Sequence, residues 1–98
     1  MNYKISEKAK EDIEKIWLYT FDKWSVEQAD RYYNLIMDEI EYLSMNFESG
    51  KSLDRIRNGY RSSRVKSHII FYRETENRII EIIRILHQQM DISKRLKE

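Results

Sequence analysis

The chain of 98 residues contains no cysteine, only two histidines and only two glycines. The absence of cysteine excludes disulfide frameworks, thiolate zinc sites and cysteine nucleophiles together. Two histidines are too few for a typical structural metal site, so we expect no metal and no other cofactor. Gly50 and Gly59 belong to neither a GxGxxG nor a P-loop pattern, and the sequence therefore offers no phosphate-binding loop for a nucleotide.

Long hydrophobic runs are also missing. No stretch is long enough to span a bilayer, and the N-terminal segment has no signal-peptide core. The runs of Ile, Tyr and Leu nevertheless suffice for a core, which excludes a disordered chain. A chain of this length makes one domain, residues 1–98, which should bury roughly 65% of its unfolded surface. We therefore expect a single cytoplasmic domain that does not contact a membrane.

The net charge of +1 conceals an asymmetry between the halves of the chain. Residues 1–50 carry 6 Lys and Arg against 11 Asp and Glu, whereas residues 51–98 carry 12 against 6. The basic segment 51–66 contains Lys51, Arg55, Arg57, Arg61, Arg64 and Lys66, with Asp54 as its one acid. Such a segment suits a nucleic acid or an acidic protein partner, and arginine is the usual choice for directed contacts. The alternative is that these cations only solvate a loop and an exposed strand.

Two amphipathic helices are predicted in the N-terminal half. Ser6 is a candidate N-cap for the first, which should end near Lys23-Trp24, and Ser25 has capping-box spacing to Gln28 for the second. Their apolar stripes are Ala9, Ile13, Ile16, Trp17 and Phe21, then Ala29, Tyr32, Tyr33, Ile36, Ile40, Leu43 and Phe47. The connection is so short that the helices must fold back as an antiparallel hairpin. We interpret the aromatic residues in these stripes as packing.

Strands are predicted in the C-terminal half. Residues 60–65, 69–72 and 79–86 are rich in β-branched and aromatic side chains, with a tight turn near Lys66-Ser67 and a second turn where Asn77 can take a positive φ. Residues 2–6 form a candidate edge strand, Gly50 and Gly59 are candidates for positive φ, and Asp91 is a candidate N-cap for a terminal helical turn. The predicted fold is α+β: an N-terminal antiparallel helical hairpin on a three- to four-stranded antiparallel sheet, followed by a short C-terminal helical turn.

Both faces of the predicted sheet are apolar. Strict alternation along residues 79–87 places Ile83 and Ile85 on one face and Ile80 and Ile82 on the other. A sheet with one helical layer should have a polar second face unless something covers it, and an exposed apolar surface of that size usually binds protein. Self-dimerisation or the C-terminal tail could also cover that face.

Several segments of the chain resemble the ParE branch of the RelE/ParE toxins. They are Gly59-Tyr60-Arg61-Ser62, His68-Ile69-Ile70-Phe71-Tyr72-Arg73, Ile82-Ile83-Arg84-Ile85-Leu86-His87 with Met90-Asp91, and upstream Ala9, Asp12-Ile13, Ile16, Tyr19-Thr20, Trp24, Gln28-Ala29 and Tyr32. The resemblance covers about residues 3 to 96. Ser25 and Phe47 depart from it, where the family usually has Gly after the Trp and Pro after an Asn, and both departures change turn chemistry only.

The resemblance implies a toxin of a type II toxin–antitoxin system that arrests growth or stabilises a plasmid. It implies a ParD-like antitoxin whose C-terminal segment wraps the toxin, and DNA gyrase as a target that is inhibited by binding; a homodimer and a heterotetramer with the antitoxin both stay open. The candidate antitoxin-binding residues are Ile70, Tyr72, Ile83 and Ile85. The candidate target-binding residues are Arg55, Arg57, Arg61, Arg64, Arg84 and His87.

Two other functions are compatible with parts of the sequence. The first is a RelE-like ribosome-dependent mRNA endoribonuclease, in which Arg61 and Arg84 would bind phosphate and His87 would act as acid or base. The tyrosine that active RelE nucleases carry near the C-terminus is replaced by the run 88–91, Gln-Gln-Met-Asp, and a lone His at a strand end is more often structural. The second is an inactive relative or a plain nucleic-acid-binding module, but the second helix is acidic and no aromatic RNP strand pair is present. We therefore expect binding rather than catalysis.

Overall fold

The serine caps begin both long helices as predicted. In this computed structural model, which describes residues 3–90 and 92–96, the Ser6 hydroxyl accepts the backbone N–H of Ala9 (3.0 Å) and begins α1, Glu7–Lys23. The Ser25 hydroxyl accepts the backbone N–H of Gln28 (3.1 Å) and begins α2, Val26–Met45. The two helices form the predicted antiparallel hairpin, because only Trp24 and Ser25 separate them. A 3₁₀ turn, Phe47–Ser49, follows α2.

Across residues 3–90 and 92–96 the structure has one five-stranded mixed sheet in the order β1-β5-β4-β3-β2. The strands are β1 (Tyr3–Ile5), β2 (Lys51–Ser52), β3 (Tyr60–Val65), β4 (His68–Glu74) and β5 (Ile80–His87). The α+β class and the helical hairpin on a sheet are confirmed. The sheet is not purely antiparallel, however, because β1 pairs in parallel with β5. The predicted edge strand within residues 2–6 is confirmed as β1, but its parallel pairing joins opposite ends of the chain and has no local signal. The sheet has five strands instead of the predicted three to four, because β2, with only two residues, was not predicted.

The hairpin covers one face of the sheet and buries the larger core. This helix-side core contains Ala9, Ile36, Ile40, Leu43, Val65, Ile70, Tyr72, Ile80, Ile82 and Ile85. Every member is at most 8% exposed, so the core is closed to solvent. None of the helices in residues 3–90 and 92–96 has the combination of length and hydrophobicity that a membrane-spanning helix requires.

A β-bulge changes which side chains of β5 share a face. Phe71 pairs with Arg84 while the next residue, Tyr72, pairs with Ile82, which leaves Ile83 as an extra residue on β5. An extra residue resets the alternation of side chains along a strand. Ile85 consequently lies in the helix-side core and Ile83 does not, so the prediction that they share a face was wrong.

The second face of the sheet is covered by the chain itself. Tyr60, Phe71, Leu86 and Leu96 form a second cluster there, with Leu53, Ile56, Ile69 and Ile83 packed around it. Leu96 belongs to α3, Ile92–Leu96, and is only 2% exposed. The C-terminal segment thus covers the apolar face of the sheet on which a second polypeptide was expected, as the alternative prediction had it. The predicted N-cap of this helix, Asp91, lies outside the described residues.

The two glycines serve different purposes. Gly59 has the predicted positive φ, +84°, at the entry to β3. Gly50 has a φ of −77°, so its predicted positive φ was wrong. A Cβ at Gly50 would lie 2.0 Å from Tyr72 Oη, and the position needs glycine because Tyr72 approaches the backbone closely. In the β4–β5 turn Arg78, and not the predicted Asn77, has the positive φ.

Candidate functional site

The arginines predicted to bind a target do not form one cluster, and several hold the fold together. Arg57 Nη1 donates to the carbonyl oxygen of Leu96 (2.6 Å), and the Arg57 guanidinium lies 5.0 Å from the Tyr60 ring centre. Arg57 therefore anchors the C-terminal end of α3 over the second cluster. Cations are the side chains that best satisfy the free carbonyls at a helix C-terminus.

Arg61 holds the segment between α2 and β3 against the sheet. Its Nη1 donates to the carbonyl oxygen of Gly50 (2.7 Å), and its guanidinium lies 5.2 Å from the Phe47 ring centre. Arg64 is exposed, and its Nε donates to the carbonyl oxygen of Lys66 (2.8 Å) within the β3–β4 turn. Arg55 is exposed and makes no hydrogen bond or ion pair to another described residue. Of the predicted set, Arg55 and Arg64 are thus exposed without binding an element outside their own loop or turn.

Arg84 is the most deeply held of the predicted arginines. Its Nε and Nη2 donate to the two carboxylate oxygens of Asp12 on α1 (2.8 and 3.1 Å), and the Ile85 N–H donates to the same carboxylate (2.9 Å). Asp12 extends the attachment of the N-terminal segment to β5, which starts with the pairing of β1 and β5. Between the two, the Ser6 hydroxyl accepts the Ala9 N–H and donates to the Ile83 carbonyl oxygen (2.8 Å). Sequence reasoning overlooked Asp12 as a partner, although its place between Ala9 and Ile16 put a carboxylate beside an inward-facing stripe.

His87 is paired with the other histidine of the chain. His68 and His87 are cross-strand neighbours with ring centres 5.3 Å apart, and His87 Nδ1 accepts the Gln89 N–H (3.1 Å). His68 Nδ1 shares a hydrogen bond of 2.5 Å with the Tyr32 hydroxyl, which also donates to the Val65 carbonyl oxygen (3.2 Å). Burial and then the neighbouring His87 lower the pKa of His68 from 6.5 to about 4, although Asp12 opposes the shift.

The ribonuclease constellation is not assembled in this conformation. Arg61 on β3 pairs with Tyr72 on β4, whereas His87 on β5 pairs with His68 on β4. Tyr72 and His68 are four residues apart on β4. Four residues of extended strand separate the two ends by roughly 13 Å. The third member, Arg84, is engaged with Asp12. In the part of the chain that the structure describes, no group of three His, Asp or Glu residues could hold a metal ion.

The four residues predicted to bind an antitoxin do not form a free surface. Ile70, Tyr72 and Ile85 are at most 2% exposed within the helix-side core, and Ile83 is half-buried beside the second cluster. Tyr72 also donates its hydroxyl proton to the Phe47 carbonyl oxygen (2.7 Å). In this conformation another protein would have to open the monomer to reach them.

Large apolar side chains are instead exposed on the helical hairpin. They are Leu18, Tyr19, Phe21, Trp24, Val26, Tyr33, Leu35, Tyr42 and Met45. A shallow depression of about 360 Å³, which we call the hairpin groove, is lined by Lys10, Ile13, Glu14, Trp17, Leu18, Asp30 and Tyr33. Trp17 Nε1 donates to Asp30 Oδ1 (2.9 Å), and the Trp17 ring stacks on Phe21 at 5.4 Å. The hairpin groove thus combines apolar and charged lining residues, the composition that accepts an amphipathic segment.

The fold is similar to that of a solved structure described as the chromosomal ParDE TA system from P. aeruginosa. The two structures agree with a TM-score of 0.74 over 89% of this chain and 95% of that chain, at 22% sequence identity. The fold class is therefore shared with that protein.

Sequence comparison identifies the family. The model of a family described as ParE toxin of type II toxin-antitoxin system, parDE, matches residues 3–92. Toxin ParE1 of Mycobacterium tuberculosis (strain CDC 1551 / Oshkosh) is 38% identical over 94 residues, 96% of each chain. Toxin ParE1 of Caulobacter vibrioides (strain ATCC 19089 / CIP 103742 / CB 15) is 38% identical over 89 residues, 91% of each chain. The chain belongs to the ParE toxins of type II toxin–antitoxin systems.

Proposed function

We propose that this ParE-family toxin acts by binding its target and is neutralised by an antitoxin segment that occupies the hairpin groove. The observation that carries the proposal is where the exposed apolar surface lies. The chain's own elements cover both faces of the sheet, while Leu18, Phe21 and Tyr33 are 50%, 46% and 41% exposed on the hairpin. Exposed apolar patches with polar rims are typical of protein interaction sites.

The hairpin groove favours an amphipathic helix or extended segment of a ParD-like partner. The solved structure with the same fold is described as a ParDE system, which supports a partner of this kind. Apolar anchors on the partner would contact Leu18 and Tyr33, and polar groups beside them would meet Lys10 and Glu14 at the rims. This assignment replaces the four strand residues proposed from the sequence. It leaves both a homodimer and a heterotetramer with the antitoxin open.

A matched pair of variants tests the neutralisation surface. Leu18→Asp should weaken toxin–antitoxin binding at least tenfold by titration calorimetry and restore toxicity during co-expression, because a carboxylate would be buried in the interface. Tyr42 is also on the hairpin and 49% exposed, but it does not line the groove, so Tyr42→Asp should bind like wild type. Equal affinity of both variants, with unchanged circular dichroism, would refute the groove as the site.

DNA gyrase is the target we propose, on the strength of family membership together with the exposed cations of the basic segment. Arg55 and Arg64 are two exposed arginines of that segment that suit contacts to phosphate or carboxylate. Arg57 and Arg61 are engaged with the chain's own carbonyl groups. They therefore contribute to the target surface chiefly by holding its shape.

A supercoiling assay with purified components tests the target. The toxin should block supercoiling by gyrase, the antitoxin should reverse the block, and Arg55→Glu with Arg64→Glu should weaken inhibition while Lys15→Glu on α1 leaves it unchanged. Normal supercoiling at a large toxin excess would exclude gyrase. Translation arrest without filamentation after induction in bacteria would favour the ribosome-dependent ribonuclease instead.

A further inference from the structure

Trp24 is exposed at a position where its indole ring contributes little to the packing of the fold. It ends α1 through its backbone, whose N–H donates to the Thr20 carbonyl oxygen (2.9 Å), and any residue except proline could make that bond. Its side chain is 73% exposed. Large aromatic side chains normally bury most of their surface, so an indole left in solvent is available to something outside the monomer.

A cleft lies against this ring, between the α1–α2 connection and the β3–β4 turn. Its volume is about 450 Å³, and Trp24, Tyr32 and Leu35 supply its apolar lining while Arg31 and Lys66 supply charge. The volume lies within the range of small-ligand sites. The cleft therefore has the size for one planar ring and a neighbouring polar group.

The charge of this cleft, which we call the Trp24 cleft, is positive. No carboxylate lines it among the described residues, and the side chains of Arg31 and Lys66 form no ion pair there. Lys66 is held with a φ of 55°, a conformation that side-chain-bearing residues seldom adopt. The hydrogen bond from Arg64 Nε to its carbonyl oxygen (2.8 Å) helps to keep it there.

We propose that the Trp24 cleft binds an unpaired base of single-stranded nucleic acid, with the base stacked on the Trp24 indole. Arg31 and Lys66 would contact the phosphates on either side of that base. Stacking on aromatic rings combined with cationic contacts to the backbone is the general mode of single-strand binding. A base inside a duplex is already stacked and cannot reach the ring, so the site distinguishes single strands from duplex. An acidic peptide would engage the cations but would leave the indole unused.

This inference goes beyond the proposed function and needs neither gyrase nor the antitoxin. The toxin would then contact separated DNA or RNA strands directly, at the end of the molecule where the α1–α2 connection lies beside the β3–β4 turn. Failure to inhibit gyrase would leave it standing, because its test uses the toxin and an oligonucleotide alone.

The first experiment is fluorescence anisotropy with a labelled oligothymidylate of about 12 nucleotides, a length within the usual site size of single-strand binders. The full-length toxin should bind the single strand several-fold or more tightly than a duplex of the same length at low salt. Trp24→Leu, which keeps apolar volume without a ring, should lower the affinity about tenfold, whereas Trp24→Phe should retain part of it. Tyr42→Leu is the matched control at an exposed aromatic outside the cleft and should bind like wild type.

A salt series tests the cations separately. Arg31→Gln and Lys66→Gln should each reduce the slope of log affinity against log salt by roughly 0.7, the value for one phosphate contact on a single strand. Equal binding by Trp24→Leu and Tyr42→Leu, equal affinity for duplex, or no binding at low salt would each overturn the proposal. It would also be overturned if Trp24→Leu lost binding to a gyrase subunit without DNA while oligonucleotide affinity was unchanged, since that result assigns the cleft to a protein partner.

Discussion

The Asp12 carboxylate on α1 and the Arg84 guanidinium on β5 form a two-pronged ion pair between residues 72 positions apart in the sequence. Both side chains are largely buried, at 10% and 14% exposed, and the Ile85 N–H donates to the same carboxylate. The ion pair fixes the position of α1 relative to β5. It lies beyond Ile82, the last β5 residue that pairs with β1. Arg84 is therefore expected to support toxicity through the fold and not through contact with a target.

Asp12→Ala should destabilise the protein strongly. Removing one member of a buried ion pair leaves the other charge without compensation, which costs about 3–5 kcal/mol of unfolding free energy. Urea denaturation followed by circular dichroism measures the change. The control is Glu7→Ala, which breaks the exposed pair with Lys10 and should cost less than about 1 kcal/mol. Similar stability of both variants would contradict a structural role for Asp12.

His68 should make stability depend on pH. Its folded pKa, about 4, lies below the unfolded value of 6.5, so between these values the unfolded chain takes up a proton that the folded protein does not. The stabilisation is complete above pH 6.5 and is lost as the pH falls toward 4. The groups that face this ring are Tyr32, His87 and, at longer range, Asp12.

The matching measurement is the urea midpoint of wild type and His68→Asn at about pH 7.5 and about pH 5. The variant keeps a hydrogen-bonding group for the Tyr32 hydroxyl but cannot titrate, so its midpoint should fall less than that of wild type over this range. Carboxylates affect both proteins equally and cancel in the comparison. Parallel loss of stability in the two proteins would show that His68 titrates normally.

Gly50 and Gly59 should respond differently to alanine. Gly50→Ala should lower the unfolding free energy by about 1–3 kcal/mol or more, because the new methyl group overlaps the Tyr72 ring, whose Cζ would lie 2.7 Å away. Gly59→Ala meets open space, and its cost, about 1 kcal/mol, comes only from the φ of +84°. Thermal denaturation of the two variants distinguishes them. The steric explanation for Gly50 fails if Gly59→Ala is the more damaging change.

Leu96 should hold the cover over the second apolar cluster. Leu96→Ala is expected to cost about 2–5 kcal/mol if the site cannot collapse, and to increase binding of a hydrophobic dye as Phe71 and Leu86 become accessible. Arg57→Ala should act in the same direction, since it removes the hydrogen bond to the Leu96 carbonyl oxygen. Arg55→Ala provides the control and should leave dye fluorescence at the wild-type level.

Much of the fold was predictable because its signals are local. The serine caps, both long helices, the short connection between them and the three long strands all depend on residues within a few positions of one another. The parallel pairing of β1 with β5 carries no such signal, because its two strands lie at opposite ends of the chain. The bulge at Phe71 and Tyr72 was equally hidden, and missing it placed Ile83 and Ile85 on the same face.

The candidate site was less predictable than the fold. The sequence assigned target-binding roles to the arginines, and in the structure Arg57, Arg61 and Arg84 each bind a group of the chain itself. Their contact with a target stays a prediction. An arginine's partners are set by which elements pack together, and composition does not contain that information. The gyrase and antitoxin assignments remain proposals supported by family membership and by the exposed surfaces.

The α+β class, the helical hairpin, the strand segments and the charge asymmetry between the halves could all be predicted from the spacing and composition of residues along the chain. Three features became visible only in the folded molecule: α3 covers the second face of the sheet, Asp12 pairs with Arg84, and large apolar side chains are exposed on the hairpin. The physical reason is that burial and ion pairing depend on side chains brought together from distant parts of the chain, whereas caps and periodicity depend on neighbours within about one or two turns.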